Sequence, residues 1–185
     1  MLEFNFTPFP VIETERLLLR RITNDDVNEV FELRSNPETM KFIPRPLVKD
    51  SEDALAHIKM IEDKIVANEG INWGITLKGN PKLLGIIGYY RMQPEHHRAE
   101  IGYILLPEFH GKGIIPESVN GLITYGFEEL KLHSIEAVID PENYASEKVL
   151  QKCGFVKEGH FKECEFYDGK FIDSVIYSLL TNKKQ

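Results

Sequence analysis

AEIGYILLPEFHGKGIIPE, residues Ala99 to Glu117, is the stretch that decides the fold: a strand-like run breaks into His110-Gly111-Lys112-Gly113 and opens an amphipathic helix. Glycines leave backbone N–H groups bare, and a helix N-terminus adds unpaired donors and the positive end of its dipole, so the turn suits a phosphate. Two common phosphate loops do not match. A P-loop needs Gly-x-x-x-x-Gly-Lys-Ser/Thr, and a dinucleotide fingerprint built on Gly111-x-Gly113 would need glycine where Pro116 stands. A different pyrophosphate binder remains, against the plainer alternative of a strand-to-helix turn whose glycines serve tight geometry alone.

Downstream, Val119, Leu122, Ile123, Gly126, Phe127 and Leu130 recur at the spacing of one helical face, which predicts a helix after the turn. Ser134 to Ile139, SIEAVI, reads as a short apolar strand. Strand, glycine turn, helix and strand make a crossover between two parallel strands, with the ligand expected beyond their carboxyl ends. Upstream, Arg16 to Arg20 reads as a first strand, and Thr23 to Asp26 caps a helix running through about Arg34 with Val27, Val30 and Phe31 inward. A second helix starts at Ser51, turns Ala54, Ile58, Ile61 and Ile65 inward, and ends at Asn68-Glu69-Gly70. Asn72 to Leu77 and Leu83 to Tyr90 read as a hairpin around Gly79-Asn80-Pro81, and Ala99 to Leu105 as the central strand. Asn143 to Cys153 forms the last helix, followed by strands at Phe155 to Lys162 and Phe171 to Leu180. Pro37, Pro44 and Pro46 exclude a regular helix from Ser35 to Asp50, which reads as a surface loop.

A chain of 185 residues, 42% apolar and 28% charged, has the composition of a folded domain with one core. Twenty-two basic against twenty-nine acidic residues give a formal charge of −7, which disfavours nucleic acid or an anionic membrane as partner and suits a cationic amine. Met1 to Pro10 has no cationic start and is broken by Pro8 and Pro10, so a signal peptide is not expected, and no apolar run is long enough to cross a membrane. A cytoplasmic monomer or homodimer is the expectation. Cys153 and Cys164 lack CxxC spacing and read as buried reduced thiols. His96 and His97 are adjacent and no His-x-x-x-His pair occurs, so a metal centre is not expected.

The segment His110 to Ile115 resembles the acetyl-CoA signature of GCN5-related N-acetyltransferases (GNAT), Arg/Gln-x-x-Gly-x-Gly/Ala. His110 replaces Arg or Gln, Ile115 replaces the small last residue, and Gly113 is the matched glycine. Three further stretches are similar to the RimJ/RimL-like ribosomal-protein N-terminal acetyltransferase branch. They are Thr14 to Arg20, Asn143-x-x-Ser146 through Lys152-Cys153-Gly154-Phe155, and Gly159 to Glu163 followed by Asp168-Gly169-Lys170 and Asp173. In that order they span Thr14 to Leu180.

The resemblance implies one mixed α/β domain over residues 1–185, with its core at about 14–180. It implies acetyl-CoA as co-substrate and transfer of the acetyl group to a primary amine by direct attack, the branch pointing to a protein N-terminal α-amine. It places the cofactor on the backbone of Tyr103, Ile104 and Leu105, on the turn formed by His110, Gly111, Lys112, Gly113, Ile114 and Ile115, and on Asn143 and Ser146. A backbone N–H near Tyr103 to Leu105 would meet the charge developing on the thioester oxygen. Many relatives protonate the departing thiolate with a tyrosine seven residues after the asparagine, where this chain has Leu150. Ser146 lies one turn earlier on the same face and is the candidate here, the alternative being a serine bonded to its own helix. Asn143 can cap that helix and also bond the pantetheine amide.

Two carboxylates compete as general base. Glu165 is preferred, with Glu100 as a pocket acid or relay, and either could instead be a solvated strand residue. An α-amine, with pKa about 7.7 to 8.0, is easier to deprotonate than a lysine near 10.4, a gap of about 3 to 4 kcal/mol. Two other functions stay open: acetylation of a small amine such as a polyamine or an aminoglycoside, and a catalytically silent CoA-sensing module.

Overall fold

Eight strands pair into one sheet in a computed structural model that describes residues 1–181. In chain order β1 is Ile12–Glu13, β2 Leu17–Arg20, β3 Ile71–Leu77, β4 Gly85–Gln93, β5 Arg98–Leu105, β6 Ser134–Ile139, β7 Val156–Tyr167 and β8 Lys170–Leu180. The helices are α1 Val27–Ser35, α2 Pro37–Met40, α3 Ser51–Val66, α4 Ile114–Glu128 and α5 Tyr144–Lys152. The spatial order is β1-β2-β3-β4-β5-β6-β8-β7, antiparallel throughout except between β5 and β6. The expected crossover is this β5-α4-β6 unit. The last four residues of the expected 1–185 domain lie outside the described ones.

The parallel pair is short. Its register runs only from Arg98↔Ser134 to Glu100↔Glu136, whereas β5 stays paired with β4 to Leu105 and β6 stays paired with β8 to Ile139. The two strands therefore separate after Glu100 and open a wedge walled by two unpaired backbone edges.

Alternation assigns the faces of the sheet. Trp73 and Tyr89 point toward α4: the Tyr89 hydroxyl donates to the Leu122 carbonyl at 2.6 Å, and Trp73 meets Tyr125 edge-on at 5.5 Å. Asn72, Ile86 and Tyr90 are out of phase with them and line a cleft on the other face with α3. There α3 buries Ala54, Ile58, Ile61 and Ile65, the stripe its spacing predicts.

The turn ahead of α4 holds Gly111 and Gly113 at φ of 72° and 75°, a left-handed geometry that explains both glycines. One turn into the helix, Glu117 accepts from Thr14 Oγ1 at 2.5 Å, from the Arg16 amide at 2.8 Å and from Arg16 Nε at 2.7 Å. Arg16 Nη1 in turn donates to the Lys112 carbonyl at 3.1 Å. Thr14-Glu15-Arg16 thus straps the turn to the sheet edge. Burial works against the Glu117 charge, but these donors outweigh it and hold its carboxyl below the usual range.

Some expectations change. Ser35 to Asp50 carries one helical turn, α2, because Pro37 suits a first helical position and the Asn36 side chain caps it, accepting from Glu38 N at 2.9 Å. Cys164 is exposed on β7 and Cys153 is half-buried, so neither is a fully buried thiol. His96 and His97 form a turn, His97 at φ 49°, between β4 and β5.

A Cβ added at Gly126 would run into the Tyr89 hydroxyl, the group that anchors β4 to α4. Gly126→Ala should destabilise the protein by about 1–3 kcal/mol through overpacking. Adding Tyr89→Phe should recover part of that loss, so urea denaturation of the double variant should give less than the sum of the single effects.

Candidate active site

The wedge opens into a cleft of about 1370 Å³ that runs from the start of α5 across Glu100 to the α1–α3 side of the sheet. On the α4 side stands the glycine turn. Among the described residues, the backbone N–H groups of Gly111, Lys112, Gly113, Ile114 and Ile115 have no protein acceptor, and the Ile114 and Ile115 side chains are buried. The turn therefore offers a run of free backbone donors, the kind of array that suits a pyrophosphate. His110 is used to build the turn: its amide donates to the Pro107 carbonyl at 3.0 Å, and its ring Nε2 lies 3.0 Å from the Leu105 carbonyl. The Lys112 ammonium sits over the Phe109 ring, 5.1 Å from its centroid.

At the far side of the wedge, Asn143 caps α5 by accepting from the Ser146 amide at 3.1 Å. Its side-chain NH2 has no acceptor of its own, so capping leaves a donor pair for a ligand amide. Asn143 and Ser146 both line the cleft. The Tyr103 phenol crosses from β5 and reaches the Ser146 carbonyl at 3.5 Å, with its pKa pushed up to about 12 by burial. Leu150 is fully buried in the core. Tyr103, Ile104 and Leu105 lie on the length of β5 that β6 does not pair, so their backbone forms the wall of the wedge.

Glu100 is only 3% exposed, in the last register pair before the strands separate. A β-bulge in β4 brings two consecutive side chains to it, since the register steps from Tyr89↔Ile101 to Arg91↔Glu100 and leaves Tyr90 as the extra residue. The Tyr90 hydroxyl donates to Oε1 at 2.8 Å. Oε2 lies 3.3 Å from Arg91 Nη1 without hydrogen-bond geometry, and no other donor reaches it. Burial raises the Glu100 pKa, with the charges of Glu136 and Glu165 adding to it, against the Tyr90 hydrogen bond and Arg91. Glu165 lines the same cleft from a register break in β7, but it is exposed, with Arg45 Nη1 at 4.0 Å. Geometry thus places the two carboxylates in one cleft and in opposite environments.

Tyr90 and Arg91 were not legible as site residues, because only the bulge turns both toward Glu100. No cluster of metal-ligating side chains occurs among the described residues. No helix among them is long and apolar enough to cross a membrane.

A short parallel pair opening beside a glycine turn is the arrangement expected of an acetyl-CoA site, and comparison with known proteins gives the family. Residues 16–156 match the acetyltransferase (GNAT) domain model, and the chain belongs to that family. It is 35% identical over 172 residues to the uncharacterized N-acetyltransferase YoaA of Bacillus subtilis, covering 93% of this chain and 97% of that one. It is 38% identical over 111 residues, 60% of each chain, to YdaF of the same organism, provisionally named a ribosomal N-acetyltransferase. Spermidine N-acetyltransferase from Vibrio cholerae, solved with CoA and spermine, superposes with a TM-score of 0.78 at 25% identity, covering 89% of this chain and 95% of that one. The protein is an N-acetyltransferase that takes its acetyl group from acetyl-CoA.

The raised Glu100 pKa has a consequence for stability. Its ionised form is disfavoured by folding, so wild-type stability is fullest below the ordinary carboxylate pKa and is lost as pH rises through the raised native value. Glu100→Gln should therefore show a higher Tm than wild type at pH 7 to 8, with the gap closing toward pH 4; a gap that widens on acidification would reverse the sign.

Proposed function

We propose that this enzyme acetylates the free α-amine of a protein or peptide, with Glu100 as general base, acting in the cytoplasm. The observation that carries the catalytic reading is Glu100 itself: buried beside the wedge, raised in pKa, and keeping one oxygen without a donor. A proton leaving the incoming ammonium goes to the Glu100 carboxylate. Acetyl-CoA supplies the electrophilic thioester, whose C–S bond breaks as the C–N bond forms. The pyrophosphate is assigned to the N–H groups of Gly111 to Ile115, and the pantetheine to the unpaired edge of β5 and the Asn143 amide.

Ser146 is the proposed donor to the departing thiolate, supported by its place on the cleft wall one turn from the buried Leu150. Glu165, preferred on sequence alone, is assigned a secondary place at the acceptor mouth, because it is exposed beside Arg45 whereas Glu100 is buried at the wedge. For the acceptor, the support is the RimJ/RimL-like pattern, the YdaF relationship and the lower deprotonation cost of an α-amine. A small polyamine is the second reading, favoured by the spermidine N-acetyltransferase relationship alone.

An ascending acidic limb in kcat/KM should mark the base. Glu100→Gln should flatten it and lower kcat/KM by about 10²- to 10⁴-fold, and Glu165→Gln should change it far less. If Glu100→Gln leaves the limb intact, the amine loses its proton elsewhere. Ser146→Ala should lower kcat about ten- to a thousandfold with acetyl-CoA affinity nearly unchanged.

The acceptor is tested by thiol release with short peptides carrying free or blocked N-termini, beside spermidine, lysine and an aminoglycoside. Free N-termini should give the highest kcat/KM. Equal or better rates with spermidine or with blocked peptides would end the N-terminal reading and leave the acetyltransferase intact.

A further inference from the structure

The two walls of the acceptor cleft differ in how their charges are paired. On the sheet wall, most carboxylates have partners: Glu100 holds Tyr90, Glu165 faces Arg45, and Asp173 accepts from His160 at 2.6 Å and from the Glu163 amide at 2.8 Å. Asp168 is exposed at the β7–β8 turn. The opposite wall, built from α1 and α3, is cationic and unpaired. Arg34, in the last turn of α1, lines the cleft with its Nε shut away from solvent and without an acceptor. Neither Arg34 nor Lys64 has a carboxylate within ion-pair distance among the described residues.

His57 and Lys64 stand two turns apart on one stripe of α3, facing the same cleft. Burial, then the charges of Arg34 and Lys64, push the His57 pKa down to about 4, so its imidazole is neutral and neither adds to nor offsets their positive charge. Burial and the nearby Arg45 press Arg34 downward as well. The acid on this wall, Asp53, is occupied at the start of α3, where its carboxylate accepts from the Lys49 amide at 3.0 Å. A guanidinium whose Nε is shut from water without an acceptor, and which has no anion beside it, is costly unless a ligand brings the missing charge.

We infer that the Arg34 end of the cleft is a subsite for an anionic group, carboxylate or phosphate, carried by the acceptor. Arg34 supplies a planar fork of donors to that anion, with Lys64 contributing charge and His57 a neutral hydrogen-bonding group. Resting on the N-terminal reading, the subsite specifies a peptide with an acidic side chain shortly after its free α-amine. It also disfavours polyamines, whose every functional group is cationic.

The test compares kcat/KM for free-N-terminus peptides that share a first residue and carry Asp or Glu, neutral residues, or Lys at the next positions. Wild type should favour the acidic peptides by about ten- to a hundredfold. Arg34→Gln should abolish that preference mainly through KM, with a loss on the neutral peptides at least about tenfold smaller, and Arg34→Lys should restore part of it. The Tm of Arg34→Gln should hold or rise, since an uncompensated charge is removed. A wild-type enzyme indifferent to the acidic residue, or an Arg34→Gln that loses Tm and activity equally on all peptides, overturns the subsite. Turnover of free glutamate or O-phosphoserine where no free-N-terminus peptide reacts would keep the anionic subsite and overturn the N-terminal reading beneath it.

Discussion

Parallel pairing between β5 and β6 stops at Glu100↔Glu136 although both strands continue, so backbone that a closed sheet would have consumed is left to bind something else. Two other features depend on that separation. The wedge gives the two faces of the sheet a common opening, with Tyr103 reaching α5 on one side and Glu100 meeting Tyr90 on the other. The glycine turn then finds itself at the carboxyl end of β5, where donors at the N-terminus of α4 can act on a ligand that runs along the wedge. A fully paired β5–β6 ladder would satisfy the strand edges and remove the site.

The bulge in β4 is the second constraint, because it sets the electrostatics of the one carboxylate at the wedge. Without the extra residue, alternation would send Tyr90 and Arg91 to opposite faces. With it, Glu100 receives one hydrogen bond and one nearby cation, enough to keep a buried carboxyl tolerable but too few to cancel its desolvation. A carboxylate satisfied at both oxygens would be held ionised at low pH and would make a weak base. On the proposed mechanism, the partial satisfaction of Glu100 is what would let a buried acid take a proton from an amine near neutral pH.

The α/β layout was legible because its signals are local. The α3 stripe, the SIEAVI strand and the glycine turn each declare themselves within a dozen residues, and each lies where its periodicity places it. The Thr14-Glu15-Arg16 stretch was legible only as a resemblance; its physical role appears when Glu117, about a hundred residues away, collects three of its donors. The choice between Glu100 and Glu165 was out of reach for the same reason. Both are glutamates in strands, and their difference is burial, which depends on a neighbouring strand's bulge and on a break in the register of β7. α2 was missed because three prolines argued against helix, although one of them, Pro37, behind the Asn36 cap, is what starts a single turn.

Charge shows most sharply the difference between composition and placement. The chain as a whole is at −7, which favours cationic partners at long range. Long-range attraction governs encounter, whereas discrimination inside a cleft is governed by groups that have lost their water. There the sheet wall holds carboxylates mostly with partners, and the α1–α3 wall holds Arg34 and Lys64 without them. If the proposed mechanism and subsite hold, an acidic chain with a cationic recess suits an acceptor that is itself dipolar: an ammonium approaching Glu100, and an anion a short distance behind it. Such a ligand is attracted by the outer field through one end and held by the inner wall through the other, so overall net charge and local specificity can point to opposite signs without conflict.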